Sequence, residues 1–258
     1  MIKVVVSGAL GRMGSTVGRL VNEAADMELV GGIDLRGGSF YGVEVGESAR
    51  IGPFLAETKP DVLIDFTAPA ATVATVRAAA TAGTALVIGT TGFTPEQRGE
   101  MARAIEGTVP AVISSNFSIG VNIFWQLLRE AARLLPGYDV EVIEAHHRYK
   151  KDAPSGTAKT ILQILDEELG PREKLYGREG MRERGTEIGV HVIRGGDIVG
   201  DHAVLFSGNF ETLQLSHRAY DRAVFAHGAL KAASWVVGKQ PGIYGMDEVL
   251  KLNQSPAK

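Results

Sequence analysis

Along the first half of the chain, short apolar runs alternate with longer stretches whose apolar positions recur at helical spacing. IKVVV at 2–6 is a β-branched run that meets the cluster SGALGRMG and then a segment with Val17, Leu20 and Val21 in helical phase, which predicts strand, turn and helix. ELVGGID at 28–34 predicts a second strand ending on an aspartate. The alternation continues through VLIDFT followed by 69–83, ALVIGTTG followed by 94–107, and AVISSNF followed by 118–135. Repeated strand-helix units of this kind predict a parallel, doubly wound sheet. From about residue 137 the pattern changes. VEVIEAHH predicts a strand, a helix is expected from about Ser155, and a polar glycine-rich loop spans 170–186. Three strand-like runs follow, IGVHVIRGG, DHAVLFSG and ETLQLSHRA, joined by Gly-Gly and Gly-Asn turn signals that suit antiparallel hairpins. This half predicts a separate α+β domain with a mixed, largely antiparallel sheet. AVFAHGALKAASWVVG at 223–238 returns to helical spacing and is expected to rejoin the first domain.

Composition narrows the functional classes. With 45% hydrophobic and 22% charged residues and 32 glycines, the 258-residue chain fits a globular protein of two domains with many tight turns. It has no cysteine, which removes disulfides, thiolate zinc sites and cysteine nucleophiles, and fits a reducing cytoplasm. Lys+Arg of 27 against Asp+Glu of 30 leaves a net charge of −3, so no global basic field exists to hold nucleic acid or an anionic membrane. No apolar stretch reaches bilayer length, and the N-terminal apolar run is too short for a signal peptide. A cytoplasmic protein with local anion sites is expected.

The turn Gly8-Ala9-Leu10-Gly11-Arg12-Met13-Gly14 lies between a strand and a helix, where backbone N–H groups and the helix dipole hold a pyrophosphate. Its spacing is GxxGxxG, not GxGxxG, and a ligand-free tight turn is the competing reading. Asp34, at the end of the second strand, stands where an acidic residue accepts hydrogen bonds from an adenosine ribose. A carboxylate there favours NAD over NADP, whereas Arg36 and Arg12 are potential partners for a 2′-phosphate; NADH, NADPH or both are therefore expected. Three further strand ends, Phe66-Thr67, Gly89-Thr90-Thr91 and Ser114-Ser115-Asn116-Phe117, put small or hydroxylated residues on the sheet edge where open α/β sheets bind ligands.

EAHHRYKKDAPSGTA at 144–158 carries the second candidate chemistry. His146 and His147 are consecutive, so on an extended backbone they point to opposite sides and serve different roles. Imidazole suits acid/base work near neutrality, and the Lys150 ammonium can donate a proton or stabilise an anion. Asp152-Ala-Pro-Ser-Gly-Thr reads as a helix entry with Ser155 as N-cap. The free amides of Gly156 and Thr157, with the lysines, would then form a carboxylate or phosphate site. A capped, solvated loop is the plain alternative. Metal ligation is disfavoured because no third ligand stands at characteristic spacing.

GALGRMG at 8–14, IDFT at 64–67, IGTTGF at 88–93, SNFSIGVN at 115–122, EAHHRYKKDAPSGTA at 144–158, RGGDIVGDH at 194–202 and FAHGALKAASW at 225–235 together resemble the 4-hydroxy-tetrahydrodipicolinate (dihydrodipicolinate) reductases. The resemblance covers nearly the whole chain, and the histidine-lysine segment is its most specific part. It implies a Rossmann-type dinucleotide-binding domain at 1–117, completed by 223–258, and a substrate-binding and oligomerisation domain at 118–222. It implies NADH- or NADPH-dependent reduction of a small dicarboxylate, 4-hydroxy-tetrahydrodipicolinate, to tetrahydrodipicolinate with loss of water, in diaminopimelate and lysine biosynthesis. By position it implies His146 as acid/base residue and Lys150 as proton donor, with His147, Gly156 and Thr157 holding the substrate. Cofactor contacts would fall on Gly8 to Met13, Asp34, Gly89 to Thr91 and Ser114 to Phe117. It also implies a homotetramer. Many relatives carry an arginine directly after the acidic residue of the second strand, where this chain has Leu35, with Arg36 one later. The rival readings are another NAD(P)-dependent dehydrogenase of a small amino or keto acid, and a non-catalytic NAD(H)-sensing module.

Overall fold

The computed structural model describes residues 1–252, so positions 253–258 of the range expected for the first domain lie outside the described residues. In chain order the elements are β1 (Ile2–Ser7), α1 (Arg12–Glu23), β2 (Met27–Asp34), β3 (Gly38–Phe40), β4 (Val43–Glu47), α2 (Ile51–Thr58), β5 (Val62–Asp65), α3 (Pro69–Ala82), β6 (Ala85–Ile88), α4 (Pro95–Ile105) and β7 (Pro110–Ile113). There follow α5 (Ile119–Leu134), β8 (Asp139–His146), α6 (Gly156–Leu169), β9 (Lys174–Tyr176), β10 (Ile188–Arg194), β11 (Gly200–Ser207), β12 (Thr212–Ala219), α7 (Ala223–Val236), β13 (Gly242–Tyr244) and α8 (Met246–Leu250). The chain divides into two compact units, one made of Met1–Ile119 with the segment from Ala223 onward, the other of Gly120–Arg222.

The first unit is built on an eight-stranded sheet of order β13-β7-β6-β5-β1-β2-β4-β3, parallel except where β3 folds back on β4. Its central strands are almost continuously apolar, because both faces are covered. Val4, Val6, Val62, Ile64, Val87 and Val112 face α1 and α7. Val5, Leu63, Leu86, Ile88 and Ala111 face a layer that includes Leu55, Val73, Val76, Met101 and Ile105. Alanines at 226, 229, 232 and 233 bring α7 against the first of these cores, which makes the unit discontinuous in sequence. The chain leaves β1 for β2 on one side and crosses to β5 on the other, so a topological switch point lies beyond the carboxyl ends of β1 and β5.

The second unit is a two-layer α+β structure. Its sheet has the order β12-β11-β8-β10-β9 and is of mixed orientation. β11 pairs antiparallel with β12 and β8, while β10 pairs parallel with β8 and β9. Val140, Val142, Ile188, Val190, Val204 and Phe206 face Phe124, Leu128 and Ala132 of α5 and Ile161, Ile164 and Leu165 of α6. Three details differ from the sequence reading. The hairpin expected at Gly195-Gly196 does not form, because β8 lies between β10 and β11. The glycine pair instead bonds to the histidine segment, with Gly195 N–H donating to His146 O at 3.0 Å and Arg148 N–H to Gly196 O at 3.1 Å. The loop expected at 170–186 contains the short strand β9, which adds to the edge of β10. β3, β4 and β13 were not anticipated either; with only three to five residues each, they present too short a pattern to recognise.

Leu128 is fully buried in the second core, whereas Leu134, on the same helix, is 76% exposed. Leu128→Ala is therefore expected to cost about 3 kcal/mol of stability from lost burial and the cavity left behind, and Leu134→Ala within about 0.5 kcal/mol. Urea denaturation midpoints of the two variants measure the difference.

Candidate active site

The glycine turn sits at the switch point. Gly8 has φ +78°, and a Cβ there would lie 2.8 Å from Phe66 O and 3.1 Å from the Thr67 methyl; only glycine lets the turn approach the loop after β5. A Cβ on Gly14 would lie 2.0 Å from Gly8 O, so the first turn of α1 packs directly on the turn that precedes it. The N-cap, Gly11, offers no side-chain acceptor and the first turn holds no acidic residue. The leading amides of α1 are thus among those a helix leaves without intrahelical partners, and Arg12 is exposed beside them. A bare helix start against a glycine turn fits a dinucleotide pyrophosphate.

Asp34 belongs to the same frame. Its Oδ2 accepts from Leu10 N–H at 2.9 Å and its Oδ1 from Leu35 N–H at 2.7 Å, so one carboxylate ties the end of β2 to the glycine turn. Each oxygen keeps a further lone pair for a ribose hydroxyl. Leu35 and Arg36 are exposed.

The centre of this sheet edge is a residue to which the sequence reading gave no role. Asp65, fully buried at the end of β5, accepts from the hydroxyls of Thr72 at 2.7 Å, Thr90 at 2.7 Å and Thr67 at 3.0 Å. Thr90 Oγ1 in turn accepts from Thr67 N–H at 2.9 Å. The Thr90 hydroxyl therefore faces inward, while Thr91 is exposed and Gly89 lies against the Phe66 ring, where a Cβ would meet ring carbon at 2.1 Å. At the next strand end Ser114 Oγ accepts from Asn116 N–H at 3.2 Å and donates to Asn116 O at 2.8 Å, and Asn116 Oδ1 accepts from Ser118 N–H at 2.8 Å. These side chains shape the entry to α5. Ser115 is exposed, and Phe117 is buried edge-on to Phe66 with ring centroids 6.0 Å apart.

In the second unit the histidine segment converges on a buried carboxylate. Glu144 and His146 are two residues apart on β8 and share its core-facing side. His146 Nδ1 lies 2.5 Å from Glu144 Oε2. Arg194, from β10, grips Glu144 with both guanidinium nitrogens at 2.9 Å, and Ser155 N–H donates to Oε1 at 3.0 Å. Burial alone would raise the Glu144 carboxyl, but the hydrogen bonds from His146, Arg194 and Ser155 outweigh it and hold the pKa at about 2. Arg194 also donates to Asp152 O at 2.6 Å, and the Asp152 carboxylate pairs with Lys150 at 2.9 Å. Burial opposes ionisation of Asp152, yet its pKa is lowered by Lys150.

Ser155 caps α6 as the sequence predicts, accepting from Ala158 N–H at 3.2 Å, and its Oγ also meets His202 Nε2 at 3.2 Å. His202, on β11, stands edge-on to His146 with ring centroids 5.2 Å apart. Burial, reinforced by the His146 charge, pushes its pKa down to about 3. His147 lies beyond the strand end, half-buried near Tyr149. Gly156 is exposed at the first helical position, and Thr157 is buried behind it. Among the described residues, no group of three or more His, Asp or Glu side chains is arranged to hold a metal ion.

The structure thus gathers His146, Lys150 and the α6 entry into one cluster, and the glycine turn, Asp34, Thr67 and Thr90 into another. Glu144, Arg194, His202 and Asp65 are the members that sequence reasoning missed. Glu144 left a readable signal, being a carboxylate at i−2 from a histidine on a strand.

Residues 2–117 match the family model described as dihydrodipicolinate reductase, N-terminus, and residues 120–250 the model described as dihydrodipicolinate reductase, C-terminus. The chain belongs to the dihydrodipicolinate reductase family. A relative named 4-hydroxy-tetrahydrodipicolinate reductase, from Methanoculleus marisnigri, is 71% identical over 98% of this chain and 100% of its own length. Another of that name, from Methanoregula boonei, is 70% identical over 99% of this chain and all of its own length. A dipicolinate-bound dihydrodipicolinate reductase from Paenisporosarcina sp. TG-14 superposes with a TM-score of 0.79 at 29% identity, over 95% of this chain and 97% of that one. As a dihydrodipicolinate reductase family member the chain is an oxidoreductase whose first unit is a Rossmann-type NAD(P)-binding fold.

Acid stability follows from the buried cluster. His202 has a folded pKa of about 3 against 6.5, and Glu144 one of about 2 against 4.5. Below the ordinary value of each group the unfolded chain binds more protons than the folded one. Stability is therefore complete above about pH 6.5 and lost on acidification, first through His202 and below about pH 4.5 also through Glu144, each contributing up to about 1.4 kcal/mol per pH unit. Melting temperature is expected to fall steadily from pH 7 to pH 4, and His202→Gln to flatten that slope; both are read by calorimetry across the range.

Proposed function

We propose that this chain catalyses the NAD(P)H-dependent reduction of 4-hydroxy-tetrahydrodipicolinate to tetrahydrodipicolinate with loss of water, in the diaminopimelate and lysine pathway of the cytoplasm. The observation that carries this reading is the histidine-lysine segment. It sets an oriented imidazole, an ammonium and the Ser155-capped start of α6 within one stretch, in a chain whose relatives bear that enzyme's name over their full length.

The reduced nicotinamide supplies the hydride. Gly8, Ala9, Leu10, Gly11, Arg12 and Met13 hold the pyrophosphate through backbone donors and the arginine charge, Asp34 takes the adenosine ribose, and the segments Gly89 to Thr91 and Ser114 to Phe117 line the remaining edge. His147, Gly156 and Thr157 bind the substrate carboxylates at the positive end of α6. Hydride addition leaves negative charge on the ring, which a proton from Lys150 or His146 neutralises, and water is lost as the hydroxyl departs together with a proton from a neighbouring ring carbon. In balance, substrate, reduced cofactor and one proton give product, oxidised cofactor and water. Exposed Phe210, Leu213 and Tyr220 on the second unit support assembly into the homotetramer that the family resemblance implies.

The direct test is loss of NADH and of NADPH absorbance when the protein meets 4-hydroxy-tetrahydrodipicolinate, made fresh from pyruvate and aspartate semialdehyde by a coupled synthase. Turnover is expected with one or both cofactors; its absence in a protein that binds NADH, together with turnover of a small acid lacking two carboxylates, would overturn the reading. Lys150→Ala is expected to lower kcat by about 10²-fold or more while the NADH dissociation constant, read by fluorescence titration, stays near that of the parent. Asp34→Ala is expected to weaken NADH more than NADPH in the same titration, because it removes the ribose acceptor and a repulsive charge beside the 2′ position.

A further inference from the structure

The buried ion pair behind His146 does more than close a core. Glu144 is fully buried and receives four hydrogen bonds: two from Arg194, one from Ser155 N–H and one from His146 Nδ1. An ionised carboxylate only accepts, so the imidazole nitrogen 2.5 Å away must carry a proton. His202 turns its Nε2 to Ser155 Oγ rather than to the His146 ring. On the other side of the ring stands Gly200, where a Cβ would lie 3.1 Å from His146 Nε2. Among the described residues Nε2 has no hydrogen-bond partner.

We propose that Glu144, clamped by Arg194, is a positioning residue that fixes neutral His146 as its Nδ1–H tautomer and presents Nε2 as the atom that exchanges protons with substrate. This rests on the reading of His146 as the acid/base residue. The pair also spans two parts of the site. Arg194 reaches Asp152 O, and Asp152 holds Lys150, so the contact that orients the imidazole also sets the segment bearing the ammonium. Orientation by a carboxylate at the far nitrogen is a general way of holding a working imidazole. Here the carboxylate itself is held by a two-pronged guanidinium, which limits its rotation.

The test uses the full-length protein labelled with ¹⁵N-histidine, with the His146 resonances assigned by their loss in His146→Gln. At a pH where His146 is neutral, the expected spectrum shows a protonated Nδ1 and an unprotonated Nε2. An Nε2–H tautomer, or a rapidly averaged pair, would overturn the proposal, and this needs no substitution at Glu144. In Glu144→Gln the expected results are a mixed or reversed tautomer and a kcat lowered by about 10²-fold, with NADH affinity unchanged. Retention of both parent kcat and parent tautomer in a folded Glu144→Gln protein would also overturn it. The two readings fail separately: a parent protein that turns over substrate but shows the Nε2–H form sinks only this proposal, whereas a parent with no turnover sinks the assigned reaction and the catalytic use of His146 with it.

Discussion

The contact on which the histidine cluster of the second unit depends is the one between Arg194 and Glu144. A buried carboxylate is costly unless it is paired and its lone pairs are filled. Here the partners come from four places in the sequence: β10, the histidine on its own strand, the cap residue of α6 and, through Arg194, the backbone at Asp152. Removing any one leaves charge or a lone pair stranded in the interior. The local geometry is therefore overdetermined, and the exposed residues nearby inherit their placement from it.

The first unit solves the same problem with different chemistry. Asp65 also ends a buried strand, but its donors are three threonine hydroxyls and an amide. Hydroxyls bring no charge of their own and little reach, so they draw the loops after β5 and β6 and the start of α3 tightly together. A sheet edge that must receive a cofactor is served by such a stiff frame. Around Glu144 the donors are instead a guanidinium, an imidazole and an amide. The two buried acids thus differ in setting as their partners differ.

Much of this was legible in the sequence and some was not. The parallel sheet was readable because its core strands are short, mainly apolar runs with a helical pattern behind most of them, and the α6 entry because Pro154, Ser155 and Gly156 each have a strong local preference. Hairpin signals misled at Gly195-Gly196, because turn chemistry is local while strand order is set by which apolar faces must meet. β8 takes the central place in its sheet, and the glycines serve the histidine loop instead. The roles of Thr90 and Ser114 were legible only in part: their position on the edge was evident, their inward-facing hydroxyls were not. Arg194 lies 50 residues from Glu144, and nothing in the local pattern of either residue points to the other.

The return of α7 to the first unit bears on the order in which a nascent chain can mature. Gly120–Arg222 is continuous and holds its own core, so it can close as soon as its last strand leaves the ribosome. The earlier-made sheet cannot. Until Ala226 to Val236 emerge, the face formed by Val4, Val6, Ile64, Val87 and Val112 lacks part of its cover, and exposed apolar strands of that kind invite chaperones or mispairing. The unit synthesised first is thus the last to be completed, and a nascent chain stalled before residue 223 would display a finished second unit behind an open first one.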